Sequence, residues 1–310
     1  MPGREMRRSR KGRPLHRPLV GVVVVHYGPL SVTFRCLKSL DRLDYGPLRV
    51  ILVDNTGQES RYSAYLGRFR RRISVVPMHG NAGFAAAVNR GMAKAAAGGA
   101  EYAWLVNNDA VVSRGALTAL VRTMERMPQA GVAGSRITDD GVPPRIWHAG
   151  GRIDLKTGQT HHIGSGMRDC GQFDRLREMD YVTGCSMLIR ARMIREVGML
   201  DENFVMYYEE TDLCIRARKA GWKVVYVPGS RVCHCISGRE DRGDWGWLYY
   251  ETRNRLLLLL KHNSRMLPMA LVMILKWPLG SCILRGRFGG AWNTVKGLLS
   301  FVGIALGGGR

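Results

Sequence analysis

The sequence has few acidic residues and lacks the patterns that define several common protein classes. Its 310 residues include 47 Lys and Arg but only 25 Asp and Glu, so the net charge is +22. The seven cysteines form no C-x-x-C pair and are odd in number, which argues against a structural zinc site and a disulfide framework. No basic segment near the N-terminus leads closely into an apolar stretch with a small-residue cleavage site. We therefore expect free thiols and a cytoplasmic location.

Motifs for phosphate loops and nucleic-acid binding are also missing. There is no Gly-Lys-Ser/Thr loop, so phosphoryl transfer from ATP has no support. No zinc-finger spacing, aromatic-basic RNA motif or heptad repeat occurs. Residues 1–17 nevertheless carry seven bases and one acid, which leaves nucleic acid open as a partner of this segment. Its Arg, Gly and Pro content is more typical of a disordered, solvated tail, so we treat nucleic-acid binding as the less favoured interpretation.

The second concentration of positive charge lies at the C-terminal end. Residues 246–310 carry nine bases and one acid, and the bases interrupt every apolar stretch. Met266–Leu284 is long enough to span a bilayer, but it contains Lys276 and two prolines. Three interpretations stay open: helices that lie on an anionic leaflet, a packed helical subdomain, and a transmembrane span.

The first half of the chain alternates short apolar runs with helical patterns, which predicts a doubly wound, mostly parallel α/β sheet. Strands are predicted at Leu19–Val25, Val50–Val53, Ile73–Val76 and Tyr102–Val106, and helices at Ser31–Leu40, Phe84–Ala97 and Arg114–Met127. Polar residues follow three of these strands: His26-Tyr27, Asp54-Asn55 and Asn107-Asn108-Asp109. Ligands of such sheets bind beyond the carboxyl ends of the strands, so these residues mark the expected site.

The second half is less regular. Residues 128–180 are rich in Gly, Pro and charge, and we expect loops with short antiparallel strands there. Regular structure is predicted again at Tyr181–Arg190, Met193–Val197, Asp201–Arg218 and Val224–Val227. We therefore divide the chain into a basic tail at 1–17, a catalytic domain at 18–245 and a basic, apolar helical region at 246–310.

Eight short segments, in order, resemble the family 2 glycosyltransferases with a GT-A fold, and especially their rhamnosyltransferase-like branch. The segments are Val23–Tyr27, Val53–Asn55, Gly80–Gly91, Leu105–Asp109, Thr183–Arg190, Gly198–Phe204, Tyr207–Arg216 and Arg253-Asn254. The resemblance implies transfer of a sugar from a nucleoside-diphosphate donor to an acceptor hydroxyl. It also implies a donor pocket that includes His26, Tyr27, Asp54, Asn81, Gly83, Asn89, Asn108 and Asp109.

Some of these donor residues also have a structural explanation. In the family, Asp54 would bind the uracil or thymine ring, but an Asp-Asn pair can equally form an Asx turn. Asn81 and Gly83 precede a helix whose N-terminus would favour an anion, or Asn81 could cap that helix. His26-Tyr27-Gly28 departs from the family's Asn-Tyr-Asn, which weakens the inference about the nucleoside contacts.

The family's Asp-x-Asp metal motif is reduced here to Asn107-Asn108-Asp109. Hard phosphate and carboxylate oxygens select Mg²⁺ or Mn²⁺, and a diphosphate leaving group requires such a cation. The resemblance makes Asp109 the carboxylate ligand and His234 a further ligand, although a lone His is often structural.

Glu209, Glu210 and Asp212 follow an apolar, aromatic segment, and apolar surroundings raise the pKa of a carboxyl group. The family places the general base of inverting transfer at Glu210. Glu209 and Asp212 would then contact the acceptor or support the base, whereas an ordinary acidic helix N-terminus is the structural alternative.

The acceptor and the exact donor are less defined. Arg253 and Asn254 could contact a diphosphate or fix a helix to the catalytic domain. The resemblance favours deoxythymidine-diphosphate-rhamnose over a uridine-diphosphate hexose, and a glycan or polyprenyl-diphosphate-linked acceptor in cell-surface glycan assembly. A retaining mechanism and a nucleotidyltransferase fit the residues less well. The alternative of another class is a non-catalytic, basic binding protein for membrane or nucleic acid that retains the fold.

Overall fold

A computed structural model describes residues 17–57, 66–67, 69, 73–235 and 245–308. The predicted basic tail therefore lies outside the described residues, except for Arg17. All seven cysteines are free thiols, as the sequence suggested.

The strands are β1 Val20–His26, β2 Leu48–Asp54, β3 Ile73–Pro77, β4 Tyr102–Asn107, β5 Ala110–Val112, β6 Ala130–Asp139, β7 Ile146–His148, β8 Gly151–Asp154, β9 Gln159–His162, β10 Arg177–Glu178, β11 Ser186–Arg190 and β12 Lys223–His234. The α-helices are α1 Leu30–Leu40, α2 Phe84–Ala97, α3 Ala116–Arg126, α4 Ala191–Val197, α5 Glu209–Lys219, α6 Trp247–His262, α7 Leu267–Ile274, α8 Gly280–Leu284 and α9 Phe288–Gly303.

The main sheet has the order β10-β12-β6-β11-β4-β1-β2-β3. Strands β3, β2, β1 and β4 are parallel, β11 runs antiparallel between β4 and β6, and β12 is parallel to β6. Successive β1 side chains alternate between two buried cores, because side chains point to opposite faces along a strand. One core contains α1 and α3, and the other contains α2. This confirms the predicted doubly wound α/β architecture.

Strand β6 corrects the expectation that residues 128–180 are mainly loops. Its ten residues pair with both β11 and β12 and are almost entirely buried. Gly131 and Gly134 weaken the strand pattern in the sequence, but both are required by close packing. A Cβ at Gly134 would lie 2.4 Å from a carbon of Val182, and one at Gly131 would lie 2.8 Å from a carbon of Met193. The β8–β9 hairpin agrees with the short antiparallel strands expected here.

The segment before α5 also differs from the prediction. Regular structure was predicted throughout Asp201–Arg218, whereas α5 begins at Glu209, where the sequence analysis allowed an acidic helix N-terminus. A 3₁₀ turn at Glu202–Phe204 is followed by a loop in which Val205, Tyr207 and Tyr208 have φ of 63°, 69° and 72°. Positive φ in non-glycine residues is strained and clusters at functional sites.

Helix α6 packs on the catalytic domain rather than standing apart from it. Leu257 and Leu258 share a buried cluster with Phe204, Tyr208 and Ile215. On another side of α6, Leu256 and Leu259 pack with Ala270, Ile274 and Phe301. The proposed boundary at residue 245 thus falls before a helix that is part of the core.

Candidate active site

A hydrogen-bonded network joins the carboxyl ends of β1 and β4. Thr33 Oγ1 hydrogen-bonds with His26 Nδ1 at 2.8 Å and accepts from Asn108 Nδ2 at 3.0 Å. Asn108 Nδ2 also donates to the Tyr27 carbonyl, and the Tyr27 ring is exposed. Burial lowers the pKa of His26 despite the opposing effect of Asp54, so the imidazole is neutral at pH 7. The network therefore fixes His26 and Asn108 at the expected edge and leaves Tyr27 accessible.

Asp54 lies opposite His26 in the parallel register of β1 and β2 and is fully buried. Its Oδ1 accepts from the Thr56 backbone N–H at 2.9 Å and from the Thr56 hydroxyl at 2.6 Å. The Asx turn considered in the sequence analysis is thus present, with Thr56 as the donor. This turn orients the carboxylate at the strand end.

The loop before α2 is held by hydrogen bonds to other residues of the protein. Asn55 donates to Asn81 Oδ1 and accepts from the Ala82 N–H, while Asn81 Oδ1 also accepts from the Gly83 N–H. Gly83 has φ of 88°, and a Cβ there would lie 2.8 Å from a side-chain carbon of Val205. Asn81 therefore orders the loop and does not cap α2.

The Val205 carbonyl occupies the helix N-terminus that was expected to favour an anion. It accepts from the backbone N–H groups of Phe84 and Ala85 at 2.7 and 3.1 Å. Those two donors are not open to a phosphate, which corrects the anion-site interpretation for Gly83. Their physical role is to hold the strained loop that precedes α5.

Asn89 also has a different place from the one predicted. Its Nδ2 donates to the Leu200 carbonyl and to Glu202 Oε1, both at 2.9 Å, and its Oδ1 accepts from the Leu200 N–H. Both the nitrogen and the oxygen of this buried amide therefore make hydrogen bonds that join α2 to residues 200–202. This geometry corrects its assignment as a donor-binding residue.

Asp109 and His234 form a close, buried pair. His234 Nε2 lies 3.1 Å from Asp109 Oδ1. The antiparallel pairing of β5 with β12 places His234 opposite Ala110, so the sheet itself determines this proximity. Two ligands at about 2.1 Å from one ion and about 90° apart are separated by about 3 Å. The pair fits two neighbouring positions around one divalent cation, and diphosphate oxygens and water would supply the others.

Aromatic residues around His234 were not identified from the sequence. The Trp147 ring lies edge-on between His234 and His162, with centroid distances of 4.5 and 4.6 Å. His148 is fully buried beside His162, and neither of its ring nitrogens has a hydrogen-bond partner among the described residues. The Gly150-Gly151 pair beside these residues was a signal of a turn in the sequence, and Gly150 has a φ of 95° in the structure. The packing restricts the orientation of the His234 ring.

Glu209 and Glu210 form a coupled carboxyl pair at the start of α5. Burial raises the pKa of both groups, and the neighbouring charge of Glu210 raises that of Glu209 further. Hydrogen bonds from backbone N–H groups, including that of Gly184, and from the Glu209 side chain oppose this effect at Glu210, but burial outweighs them and its pKa stays above the ordinary value. The Gly184 N–H donates to Glu210 Oε1 at 3.5 Å. The other carboxyl oxygen of Glu210, Oε2, is buried and has no hydrogen-bond partner among the described residues. Glu210 therefore keeps one oxygen available to accept a proton.

Asp212 points to the C-terminal helices instead of joining this pair. Its carboxylate accepts from Arg216 at 2.7 Å and from Lys261 and His262 at 2.8 Å. These interactions lower its pKa despite burial. The structure thus corrects its predicted catalytic grouping: Asp212 joins α5 to α6.

Arg253 and Asn254 support the loop before α5. The Asn254 amide donates to the carbonyls of Phe204, Met206 and Tyr207 at 2.8–2.9 Å, and Arg253 donates to the carbonyls of Asn203 and Phe204. Both side chains are buried. These contacts favour the structural alternative over contact with an acceptor diphosphate.

A chain of contacts connects the three acids at one edge of the sheet. Asn107, two residues before Asp109, donates its N–H to the Cys185 carbonyl, and neighbouring Gly184 contacts Glu210. From the other side, the Asn55 and Gly83 loop contacts Val205, which lies in the loop that leads to Glu210. These contacts connect Asp109, Glu210 and the loop that follows Asp54 through neighbouring segments of the structure.

Comparisons with known proteins agree with this geometry. A sequence profile described as "Glycosyltransferase like family 2" matches residues 16–255. The chain is 30% identical over 239 residues to an N-acetylglucosaminyl-diphospho-decaprenol L-rhamnosyltransferase of Mycobacterium tuberculosis, covering 69% of this chain and 75% of that protein.

Solved structures support the fold independently. A complex of GalNAc-T7 with UDP, GalNAc and Mn²⁺ has a TM-score of 0.63 and 15% identity, covering 80% of this chain and 48% of that one. A mannosyltransferase of Pyrobaculum calidifontis in complex with GDP-Man and Mn²⁺ has a TM-score of 0.59 and 13% identity, covering 96% of this chain and 91% of that one. Both identities are low, so these two likenesses establish the GT-A fold alone. The profile match and the mycobacterial relative establish more: the chain belongs to the family 2 glycosyltransferases.

Proposed function

We propose that this enzyme transfers a sugar from a nucleoside-diphosphate donor to an acceptor hydroxyl with inversion at the anomeric carbon, assisted by Mg²⁺ or Mn²⁺. The observation that carries the proposal is the unpartnered, buried Oε2 of Glu210 on the same rim as the Asp109–His234 pair. A proton acceptor and a diphosphate-binding centre are the two functions that such a transfer requires.

The donor would bind with its nucleoside towards Asp54 and Tyr27 and its diphosphate towards Asp109. The distance between Asp109 Oδ1 and His234 Nε2 suits two ligands of one divalent cation. The carboxylate oxygen is a hard ligand of the kind that Mg²⁺ and Mn²⁺ prefer. When bound, the cation would neutralise the charge that develops on the departing nucleoside diphosphate. Trp147 restricts the His234 ring and so preserves the alignment of the pair.

Glu210 would accept the proton of the acceptor hydroxyl as that oxygen attacks the anomeric carbon. The new C–O bond forms on the face opposite the breaking bond to the diphosphate, which leaves with the electron pair. Burial and the adjacent Glu210 raise the pKa of Glu209, so Glu209 would keep its proton beside the Glu210 carboxylate. Only Glu210 therefore needs to change protonation state during the transfer.

The activity of the mycobacterial relative suggests the substrates. That protein is an L-rhamnosyltransferase whose acceptor is N-acetylglucosaminyl-diphospho-decaprenol. We propose a rhamnosyl donor, with a uridine-diphosphate hexose as the second choice, and a polyprenyl-diphosphate-linked acceptor in cell-surface glycan assembly. Such an acceptor would place the reaction at the cytoplasmic face of a membrane.

Thermal-shift measurements with a sugar-nucleotide panel test the proposal directly. Deoxythymidine-diphosphate-rhamnose with Mn²⁺ should raise the melting temperature of the wild type, and the effect should be largely lost without Mn²⁺. Asp109→Ala provides the matched control, since it removes a proposed ligand of the cation. If no nucleotide of the panel shifts the melting temperature under either condition, the protein is a non-catalytic member of the fold.

A further inference from the structure

Helix α9 has its apolar residues on the side that faces solvent. Its most exposed large side chains, together with one in the turn that follows, recur at intervals of three, four or seven residues: Phe288, Trp292, Leu299, Val302 and Leu306. This spacing forms one helical stripe. The opposite side contains Gly290, Thr294, Gly297 and Phe301 and is buried.

The buried side of α9 is fitted closely to α6. A Cβ at Gly297 would lie 2.6 Å from the Tyr249 carbonyl oxygen and 2.9 Å from a carbon of Thr252. Rotation of α9 to bury its apolar stripe would break this fit. The exposure of the stripe is therefore a property of the packed helix pair.

The segment from α7 to α8 adds further exposed apolar surface. Val272, Trp277 and Leu284 are 63%, 65% and 88% exposed. Ser264–Leu284 is long and apolar enough to cross a membrane, but only 17% of its most apolar window is buried in the protein. An exposed apolar surface of this extent marks an interaction site.

The charge of this region identifies the kind of partner. Residues 264–310 contain no Asp or Glu, and Lys276, Arg285, Arg287 and Lys296 lie among the apolar side chains. Lys296 Nζ lies 5.5 Å from the centroid of the Trp292 ring. A cation beside an exposed Trp is suited to the boundary between acyl chains and anionic headgroups.

Packing also indicates that the segment Ser264–Leu284 lies on the membrane surface and does not cross the bilayer. Ala270 and Ile274 of α7 are buried against Leu256 and Leu259 of α6, which is itself packed on the catalytic domain. A span formed by Ser264–Leu284 would remove both residues from this cluster. Lys276 and Pro278 would also fall inside the hydrocarbon.

We propose that α7, α8 and α9 form a docking face that inserts its apolar side chains into the interface of an anionic lipid leaflet. The face is connected to the site through α6, because Asn254 on that helix holds the loop that leads to Glu209 and Glu210. Docking would thus set the distance and orientation of the rim relative to a lipid-linked acceptor. This last point rests on the proposed function, whereas lipid binding itself does not.

Flotation of the full chain with vesicles tests the proposal without donor or acceptor. The protein should bind phosphatidylcholine vesicles that contain phosphatidylglycerol and bind phosphatidylcholine alone much more weakly. Leu284→Glu and Leu299→Glu should each reduce the affinity for anionic vesicles by about tenfold or more. Each substitution places a negative charge in the face that inserts into the leaflet. Replacing Lys276 and Arg285 by Gln should reduce affinity by about fivefold per base and weaken its salt dependence.

Val142→Glu is the matched control, because Val142 is a fully exposed apolar residue of the catalytic domain. It should leave vesicle binding unchanged. Circular dichroism should show the same fold in all variants, since the substituted side chains are exposed.

Four outcomes would overturn the proposal. The chain could fail to bind anionic vesicles, or bind equally well with Leu284→Glu and Leu299→Glu. Light scattering could show a dimer that Leu299→Glu dissociates in the absence of lipid, which would assign the face to a second copy. Retention in the vesicles after alkaline carbonate extraction would indicate a span. None of these outcomes bears on nucleotide binding, which the thermal-shift panel measures separately.

Discussion

At the scale of single residues, the three acids of the candidate site have different surroundings, and each environment favours a different chemical role. Asp54 is buried and held by Thr56, Asp109 lies beside His234, and Glu210 is paired with a second carboxyl group. Sequence reasoning placed Asp54 and Asp109 at the ends of strands and the family resemblance supplied Glu210, and the roles of all three stay predictions. The sequence could not reveal hydrogen-bond partners from distant segments, which is why Asn89 was assigned to the donor pocket and the structural alternatives for Asp212, Arg253 and Asn254 stayed open.

The pH dependence of activity tests the state of the carboxyl pair. Glu209→Leu removes the hydrogen bond that lowers the pKa of Glu210, so that pKa should rise. Because Glu210 must be deprotonated to act as a base, the acidic limb of the kcat/KM profile should move to higher pH. Glu209→Gln keeps a donor at this position and should leave the limb close to that of the wild type. A shift to lower pH with Glu209→Leu would mean that Glu209 is charged.

The Asp109–His234 pair predicts metal-dependent donor affinity. Asp109→Ala and His234→Ala should each weaken binding of deoxythymidine diphosphate in the presence of Mn²⁺ and have little effect without it, because each removes one ligand of the cation. Isothermal titration calorimetry measures both conditions. Exposed His161 is the control: His161→Ala should bind as the wild type does. Unchanged Mn²⁺-dependent affinity in Asp109→Ala would remove this residue from the metal site.

At the scale of secondary structure elements, the loop between the 3₁₀ turn and α5 determines where the acids lie. Its positive φ angles are maintained by α2, through the Val205 carbonyl, and by α6, through Asn254. The sequence predicted a helix at Phe84–Ala97 and a helical region over residues 246–310. The strained loop was not predicted, because its conformation depends on partners about 50 and 120 residues away rather than on local preferences.

Removing the Asn254 amide should therefore affect stability and turnover together. Asn254→Ala removes a donor from the Phe204, Met206 and Tyr207 carbonyls, although Arg253 still donates to Phe204, and we expect a loss of about 1–3 kcal/mol in the free energy of unfolding. The kcat should fall because the loop relaxes, while the affinity for the nucleotide stays close to that of the wild type. Chemical denaturation and steady-state kinetics measure these effects.

Asn263→Ala provides the comparison within the same region, since Asn263 donates one hydrogen bond to the Leu155 carbonyl. It should change stability less than Asn254→Ala and leave kcat unaffected. An Asn254→Ala enzyme with normal stability and a raised KM for the acceptor would instead support the substrate-contact interpretation.

At the scale of the whole molecule, a buried ionic cluster joins the catalytic domain to the C-terminal helices. Asp212 contacts Arg216 on its own helix and Lys261 and His262 at the end of α6. Asp212→Asn should lower the free energy of unfolding at pH 7 by about 2–4 kcal/mol, less than for a fully buried pair because Arg216 and Lys261 reach solvent.

The pH dependence of this stabilisation has a definite sign. The folded protein lowers the pKa of Asp212, so the contribution is present above its ordinary value of 3.8 and is lost as the pH falls below that value. The difference between wild type and Asp212→Asn, measured by denaturant unfolding, should therefore shrink in acid. A difference that is independent of pH would show that packing, not charge, accounts for the effect.

The overall architecture was predictable because strand–helix alternation and the polar ends of the strands are local signals. Strand β6 and the position of α6 were not predictable in this way. Glycines weaken the strand pattern of β6, and the basic, apolar composition of α6 resembles that of a separate region. Both features depend on contacts between distant segments, such as Gly134 with Val182 and Leu258 with Phe204.

The central claim is that Glu210 is the base of a metal-assisted sugar transfer. The most direct measurement is the turnover of Glu210→Gln with a sugar nucleotide and Mn²⁺, accompanied by calorimetry of donor binding. Turnover should fall by about 10²–10⁴-fold while donor affinity is retained. Turnover close to that of the wild type would contradict the account.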